Sequence, residues 1–239
     1  MPTAYRSVDF IIAFIALAII PLMSAWTGRS LALSSVADRT LVPRYVWVIV
    51  RSVVLILLIG AAWLRLARSF AMLGLDIPVS GWGRVGFAID AVVASYYAYA
   101  ILLRRRSERE LDAVRERLRR MNSDRMLPKT RVEFALFPVV AVAGSIAEEL
   151  LYRGFLIWFF SPILGLIGAV LASSFAFSLG HAYLGWRGVV RTAVIGLAFA
   201  TAFAITHSLW WLMIAHITAN MSGLPLQRRL QAVVEPRTA

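Results

Sequence analysis

The chain has 239 residues, of which 60% are hydrophobic and 16% charged, and its mean hydropathy is +0.74. This balance excludes an ordinary soluble globular domain and predicts a polytopic membrane protein. The formal net charge of +12 does not indicate a nucleic-acid partner, because the arginines cluster between apolar segments, where they set topology and contact anionic lipid head groups.

Several apolar segments approach the ~20 residues that a helix needs to cross a bilayer. Spanning backbone must satisfy its own hydrogen bonds, and the chain shows no alternating barrel pattern, so helices are expected throughout. The expected spans are Phe10–Trp26, Val46–Leu64, Val85–Leu103, Phe134–Phe160, Ile163–Gly180, Val189–Ile205 and Leu209–Leu224. The sequence therefore predicts an all-α polytopic membrane protein, a bundle of about seven transmembrane helices.

The first span is short and follows Arg6, so a cleaved signal peptide is its competing interpretation. Asp9 at its start, and the lack of a clear small-x-small cleavage site after it, favour an anchor helix.

An Arg-rich connector, Arg104–Arg131, separates the third span from the fourth and has the charge spacing of an exposed helix. The positive-inside rule places this connector in the cytoplasm and the amino terminus outside. Counting forward through the spans puts Arg187, Arg191 and Arg228 on the cytoplasmic side as well.

Two adjacent acids, Glu148 and Glu149, and one arginine, Arg153, interrupt the apolar stretch after the connector. Glu149 and Arg153 have the i, i+4 spacing of a helical ion pair, whereas Glu148 points about 100° away. A cluster that only locks helices together needs one acid per arginine. The second carboxylate, Glu148, therefore favours a catalytic role over a purely structural one, because burying an unpaired carboxylate is costly.

Three more polar residues, His181, His216 and Asn220, lie in later apolar segments. A single membrane histidine is more often an interhelical hydrogen-bonding residue than a catalytic one. Together with a spare glutamate, however, these residues supply a base that activates water, an acid for a leaving amine and donors for an oxyanion. The combination predicts a hydrolytic active site among the C-terminal four spans.

Three motifs carry a family resemblance: EELLYRG at 148–154, FSLGH at 177–181 and HITAN at 216–220. In order and spacing they resemble the motifs of the CPBP family, which comprises CAAX-type intramembrane endopeptidases, including the Ras-converting type, and bacteriocin-immunity relatives also called Abi proteins. The resemblance implies a CPBP-like catalytic helical core in residues 132–239. Residues 1–131 would then supply three accessory transmembrane helices and the connector.

The resemblance also implies roles for the motif residues. Glu148 would be the catalytic carboxylate that polarises water together with His181. His216 and Asn220 would line the oxyanion side of the site. The substrate would be a membrane-associated peptide, with prenylated CAAX-type proteins among the candidates, and the site would open to the cytoplasmic side of a multi-pass integral membrane protein.

Glu149 with Arg153 would position the first motif helix. A zinc-dependent and a metal-free mechanism are both compatible with these residues. If a metal is used, its ligands would be Glu148, His181 and His216. Because the chain contains no cysteine, thiolate ligands are excluded.

Two interpretations from other classes compete with the protease. A proton-coupled transporter also uses membrane acids, histidines and arginines, although the two halves of this chain show no matching pair of Gly/Pro-broken helices. A non-catalytic self-immunity or scaffold protein could retain the motifs for packing alone.

Overall fold

The structure is a computed structural model that describes residues 5–33, 40–76, 81–102 and 126–232, together with six positions of the connector. Every regular element in these described ranges is helical. The α-helices are α1 (Ser7–Phe14), α2 (Ile20–Leu33), α3 (Val42–Arg65), α4 (Gly81–Leu102), α5 (Arg131–Glu148), α6 (Ile157–Leu179), α7 (Gly185–Thr206), α8 (Leu209–Met221) and α9 (Gly223–Ala232). The π-helical segments Ile15–Ile19 and Glu149–Leu156 join α1 to α2 and α5 to α6.

Helical runs that could cross a bilayer dominate the described residues. Four runs are long and apolar enough: Ser7–Ser30, Val42–Arg65, Arg131–Leu179 and Ala182–Thr206. Only 28 to 33% of the apolar window in each run is buried inside the protein. The remaining apolar side chains face outwards, where lipid is the solvent that matches them. The chain is an integral membrane protein, and its described part is all-helical.

The predicted count of seven spans is not confirmed, since four candidates are found in the described ranges. Helix α4 is not among them. Helix α8 has 13 residues and is therefore about 20 Å long, shorter than the ~30 Å hydrocarbon core. Most of the predicted connector lies outside the described residues, but Glu116 and Arg120 within it form an exposed ion pair of 2.8 Å.

The longest run, Arg131–Leu179, contains a chain reversal. Gly165, three residues after Pro162, has φ 69° and ψ 171°, which glycine adopts readily because it lacks a Cβ atom. Beyond this point the chain returns along the preceding arm, and the Ser173 hydroxyl donates to the Tyr152 carbonyl oxygen at 2.6 Å. The sequence predicted this break, between the fourth and fifth expected spans, to within a few residues.

Glu133 connects helix α3 to the start of α5. Its fully buried carboxylate accepts the Leu41 N–H at 2.6 Å and the Lys129 N–H at 2.7 Å. It also forms a capping box with Thr130 at the N-terminus of α5. These bonds align the N-terminal ends of the two helices, so that α3 follows α5 towards the motif residues.

Candidate active site

The first two motifs meet because the chain reverses between them. Glu148 ends α5, 17 residues before Gly165, and His181 follows α6, 16 residues after Gly165. At 1.5 Å per residue, both lie about 25 Å from the reversal. The antiparallel arms therefore bring Glu148 and His181 to one level of the bundle, and α8 brings His216 to the same level.

The spare carboxylate faces both imidazoles. Glu148 Oε2 lies 4.0 Å from His181 Nε2 and 3.7 Å from His216 Nε2. The three side chains are 22%, 16% and 14% exposed, so the group remains accessible to small molecules. These separations are too long for direct hydrogen bonds and are of the kind that a water molecule bridges.

Each histidine is held through its Nδ1 atom. The His181 Nδ1–H donates to the Phe177 carbonyl oxygen at 2.9 Å, and the His216 Nδ1–H donates to Glu149 Oε1 at 2.7 Å. A carbonyl or ionised carboxylate oxygen can only accept, so the proton belongs to Nδ1 in both rings. The Nε2 atoms are thereby left facing Glu148.

Glu149 and Arg153 form a buried pair behind His216. Arg153 Nη1 lies 3.0 Å from Glu149 Oε1, and the two side chains are 1% and 0% exposed. The Arg153 guanidinium also packs on the Phe177 ring at 4.3 Å. The i, i+4 pair expected from the sequence is present. The bond from His216 to the same oxygen was not expected, because these residues are 67 positions apart.

The backbone that carries this pair is π-helical. All eight residues of Glu149–Leu156 are buried. Departures from α-helical geometry of this kind are rare and are frequently found at functional sites. Here the segment begins immediately after Glu148, so the two adjacent acids fall on either side of a change in helical geometry.

Asn220 lies one helical turn after His216, at the edge of the group. Its Nδ2 atom donates to Ser145 Oγ at 3.1 Å, and Ser145 itself is fully buried on α5. The sequence did not single out Ser145, because a serine in an apolar helix usually bonds to its own backbone. The contact joins α8 to the helix that carries Glu148.

A small cavity adjoins the carboxylate, with room for about one water molecule. Glu148 and His181 line one side of it, and Arg51 and Ser52 of α3 line another. Sequence reasoning missed Arg51, although the cost of an ionisable side chain in an apolar span, which drew attention to Glu148, applies equally to it.

The donor atoms of Glu148, His181 and His216 lie farther apart here than around a bound tetrahedral zinc ion. Bonds of 2.0 to 2.1 Å to zinc would separate neighbouring donor atoms by about 3.3 Å. Glu148 Oε2 is 3.7 Å and 4.0 Å from the two Nε2 atoms. Within the described part of the chain, no three His, Asp or Glu side chains form a group that could hold a metal ion.

The fold and this geometry define an all-helical integral membrane protein with a carboxylate and two imidazoles gathered at one level of the bundle. Residues 130–222 match the family model described as type II CAAX prenyl endopeptidase Rce1-like. This segment contains all six motif residues, so the match confirms that the three motifs resemble those of CAAX-type proteases of the CPBP family. Comparison with curated proteins and with solved structures finds no match.

Proposed function

We propose that the protein is an intramembrane endopeptidase that hydrolyses a peptide bond of a membrane-associated, CAAX-type substrate. The observation that carries this proposal is the approach of Glu148 Oε2 to within 4.0 Å of two imidazole Nε2 atoms beside a water-sized cavity. Membership of the matched segment in a CAAX-type protease family supports the same class of reaction.

Glu148 and His181 activate the attacking water in this proposal. The Glu148 carboxylate takes a proton from the water while the water oxygen attacks the scissile carbonyl carbon, and the carbonyl π electrons move to the oxygen as an oxyanion. His181 Nε2 accepts a hydrogen bond from the second O–H of the water, which stays on the attacking oxygen, and so orients the nucleophile. The proton on Glu148 then passes to the amide nitrogen as the C–N bond breaks, which releases the amine.

His216 and Asn220 stabilise the oxyanion in this scheme. Because the His216 Nδ1–H is committed to Glu149, His216 donates from Nε2 only as an imidazolium. The buried Glu149 carboxylate stabilises that cation, and Arg153 holds the carboxylate in place. Asn220 has a second N–H besides the one that Ser145 accepts, and this N–H is the other donor.

The site lies near the bilayer surface opposite the Gly165 reversal, because about 25 Å of a ~30 Å core separates Glu148 from that reversal. Arg187 and Arg191 begin α7 at the same end of the bundle. By the positive-inside rule this end faces the cytoplasm, so the substrate enters from the cytoplasmic leaflet. Residues 132–239 then form the catalytic core, and residues 1–131 are accessory.

The test is cleavage of a farnesylated CAAX-type peptide by the purified protein in liposomes, with the products identified by mass spectrometry. Glu148→Gln should lower the rate by at least ~10²-fold, because it removes the base. Glu116→Gln, which removes an exposed acid, is the matched control and should cleave normally. Undiminished cleavage by Glu148→Gln would remove Glu148 from the mechanism.

Two further arms of the same experiment separate the competing interpretations. A chelator should leave the cleavage rate unchanged; a loss that added zinc restores would assign the metal to Glu148, His181 and His216. A pH-sensitive dye inside the liposomes reports proton movement. Solute-dependent acidification without peptide cleavage would favour the transporter.

A further inference from the structure

Arg51 is a positive charge beside the candidate site that the proposed mechanism does not use. It lies on α3, outside the matched residues 130–222, and it lines the same cavity as Glu148 and His181. Its Nε atom is buried without a hydrogen-bond partner among the described residues. An arginine placed in this way within an apolar span has unused donors directed at a cavity.

Two arginines of the described bundle, with side chains that are 6% and 1% exposed, are bonded to acids. Arg68 donates two hydrogen bonds to Asp9, at 2.6 and 2.8 Å, and Arg153 pairs with Glu149. Arg51 has no such bond in the described ranges. It interacts with Glu148 electrostatically across the cavity. The cavity therefore presents a guanidinium whose hydrogen-bonding capacity is available to a ligand.

The geometry of a guanidinium selects the ligand. Its planar fork donates two parallel hydrogen bonds to a carboxylate, and such charge-assisted bonds are roughly twice as strong as neutral ones. A peptide carboxylate that enters a membrane-embedded cavity loses its hydration, so it needs a buried cation to compensate. Arg51 and the hydroxyl-bearing Ser52 beside it supply a suitable environment.

We propose that Arg51 binds a carboxylate of the peptide at this site. The inference rests on the proposed function and deepens it, because it makes a carboxylate part of what the enzyme recognises. Two sources carry this chemistry: the free C-terminus of the intact substrate and the new carboxylate formed at the cleaved bond. The accessory helix α3 would then select the substrate, while residues 130–222 carry out the hydrolysis.

The test measures binding in the His181→Ala variant, which retains Glu148 and Arg51. Fluorescence anisotropy in detergent micelles compares two matched pairs of probes. The first pair is a farnesylated CAAX-type peptide with a free C-terminal acid and its C-terminal amide. The second pair is the shortened product that ends in farnesyl-cysteine, as the acid and as the methyl ester.

The acid of at least one pair should bind about 10- to 100-fold more tightly than its neutral form, as expected for a hydrogen-bonded charge. Adding Arg51→Met should abolish this preference, whereas Arg51→Lys should retain part of it. Arg65→Met, the same substitution at an exposed position of α3, should leave the preference intact. A preference in the first pair identifies the C-terminus, and one in the second pair identifies the product carboxylate.

Equal binding of acid and neutral forms in both pairs would overturn the assignment, as would an acid preference that survives Arg51→Met. The comparison of probes on protein that retains Arg51 does not depend on how well the Arg51 variants fold. Cleavage by the wild-type protein is scored separately. Cleavage without an acid preference would support the proposed function and remove the role of Arg51. An acid preference that depends on Arg51, without cleavage, would support carboxylate binding by Arg51 and contradict the proposed function.

Discussion

Asp9 with Arg68 and Glu149 with Arg153 are both buried acid–arginine pairs, but their hydrogen bonding differs. The Arg68 guanidinium donates to both oxygens of Asp9, and Asp9 Oδ2 also accepts the Arg6 N–H at 2.7 Å. In the second pair only Glu149 Oε1 is bonded to Arg153. Glu149 Oε2 and Arg153 Nε are buried without a hydrogen-bond partner in the described part of the chain.

The difference extends to what surrounds each pair. Arg68 lies between the Trp63 and Trp158 rings, at 5.0 and 4.7 Å, so its charge is enclosed by aromatic faces. The Glu149 pair instead extends through His216 to a second acid, Glu148, beside a cavity. A pair in which both carboxylate oxygens are hydrogen-bonded serves to stabilise the fold. A pair with an unbonded oxygen, next to a further acid and histidines, has the groups that an active site requires.

The largest effect should follow removal of His181. His181→Ala should lower kcat by about 10²- to 10⁴-fold, because the water loses the group that orients it. The free energy of unfolding should change by less than about 1 kcal/mol, since among the described residues the side chain hydrogen-bonds only to the carbonyl of Phe177 one turn earlier. Peptide cleavage and denaturant titration measure the two quantities. A large loss of stability would make His181 a packing residue.

Asp9→Asn should give the opposite pattern. It leaves the Arg68 charge buried without its counterion, which should lower the free energy of unfolding by about 3–5 kcal/mol. Denaturant titration in micelles can follow this change through tryptophan fluorescence, because Trp63 and Trp158 flank the guanidinium. The kcat of the folded fraction should be unchanged. A fall in kcat at full stability would break the contrast between the two pairs.

Asn220→Ala should affect the oxyanion and little else. We expect kcat to fall about 10²- to 10³-fold with KM unchanged, the effect of losing one donor to the transition state. Ser145→Ala is the matched control, because it removes the partner of Asn220 but keeps the amide. Its loss of kcat should be smaller. Equal losses in the two variants would mean that the bond between the helices matters and the amide donor does not.

The smallest effect should come from the cap of α5. Thr130→Ala removes the hydroxyl that accepts the Glu133 N–H and should cost about 1 kcal/mol of stability. Cleavage by the folded protein should be unaffected, since the cap is about 27 Å along the helix from Glu148. A kcat change comparable to that of Asn220→Ala would show that the alignment of α3 with α5 controls the site.

Much of the helical fold could be predicted because apolar length and helix-breaking residues act locally. The break near Pro162 and Gly165 could be predicted in this way, and so could the paired Glu149 and Arg153. The number of spans could not. Hydropathy does not distinguish a long crossing helix from a short one such as α8, which has 13 residues.

The sequence by itself determined that this is a helical membrane protein. It also determined which acids, histidines and amide are candidates for a functional role, because an ionisable group in an apolar segment is costly wherever the chain places it. Only the tertiary structure decided their partners. The reversal at Gly165 brings His181 to Glu148, α8 delivers His216 to Glu149, and α3 adds Arg51 to the cavity. These contacts join residues far apart in the chain, and no local periodicity encodes which distant helix faces which.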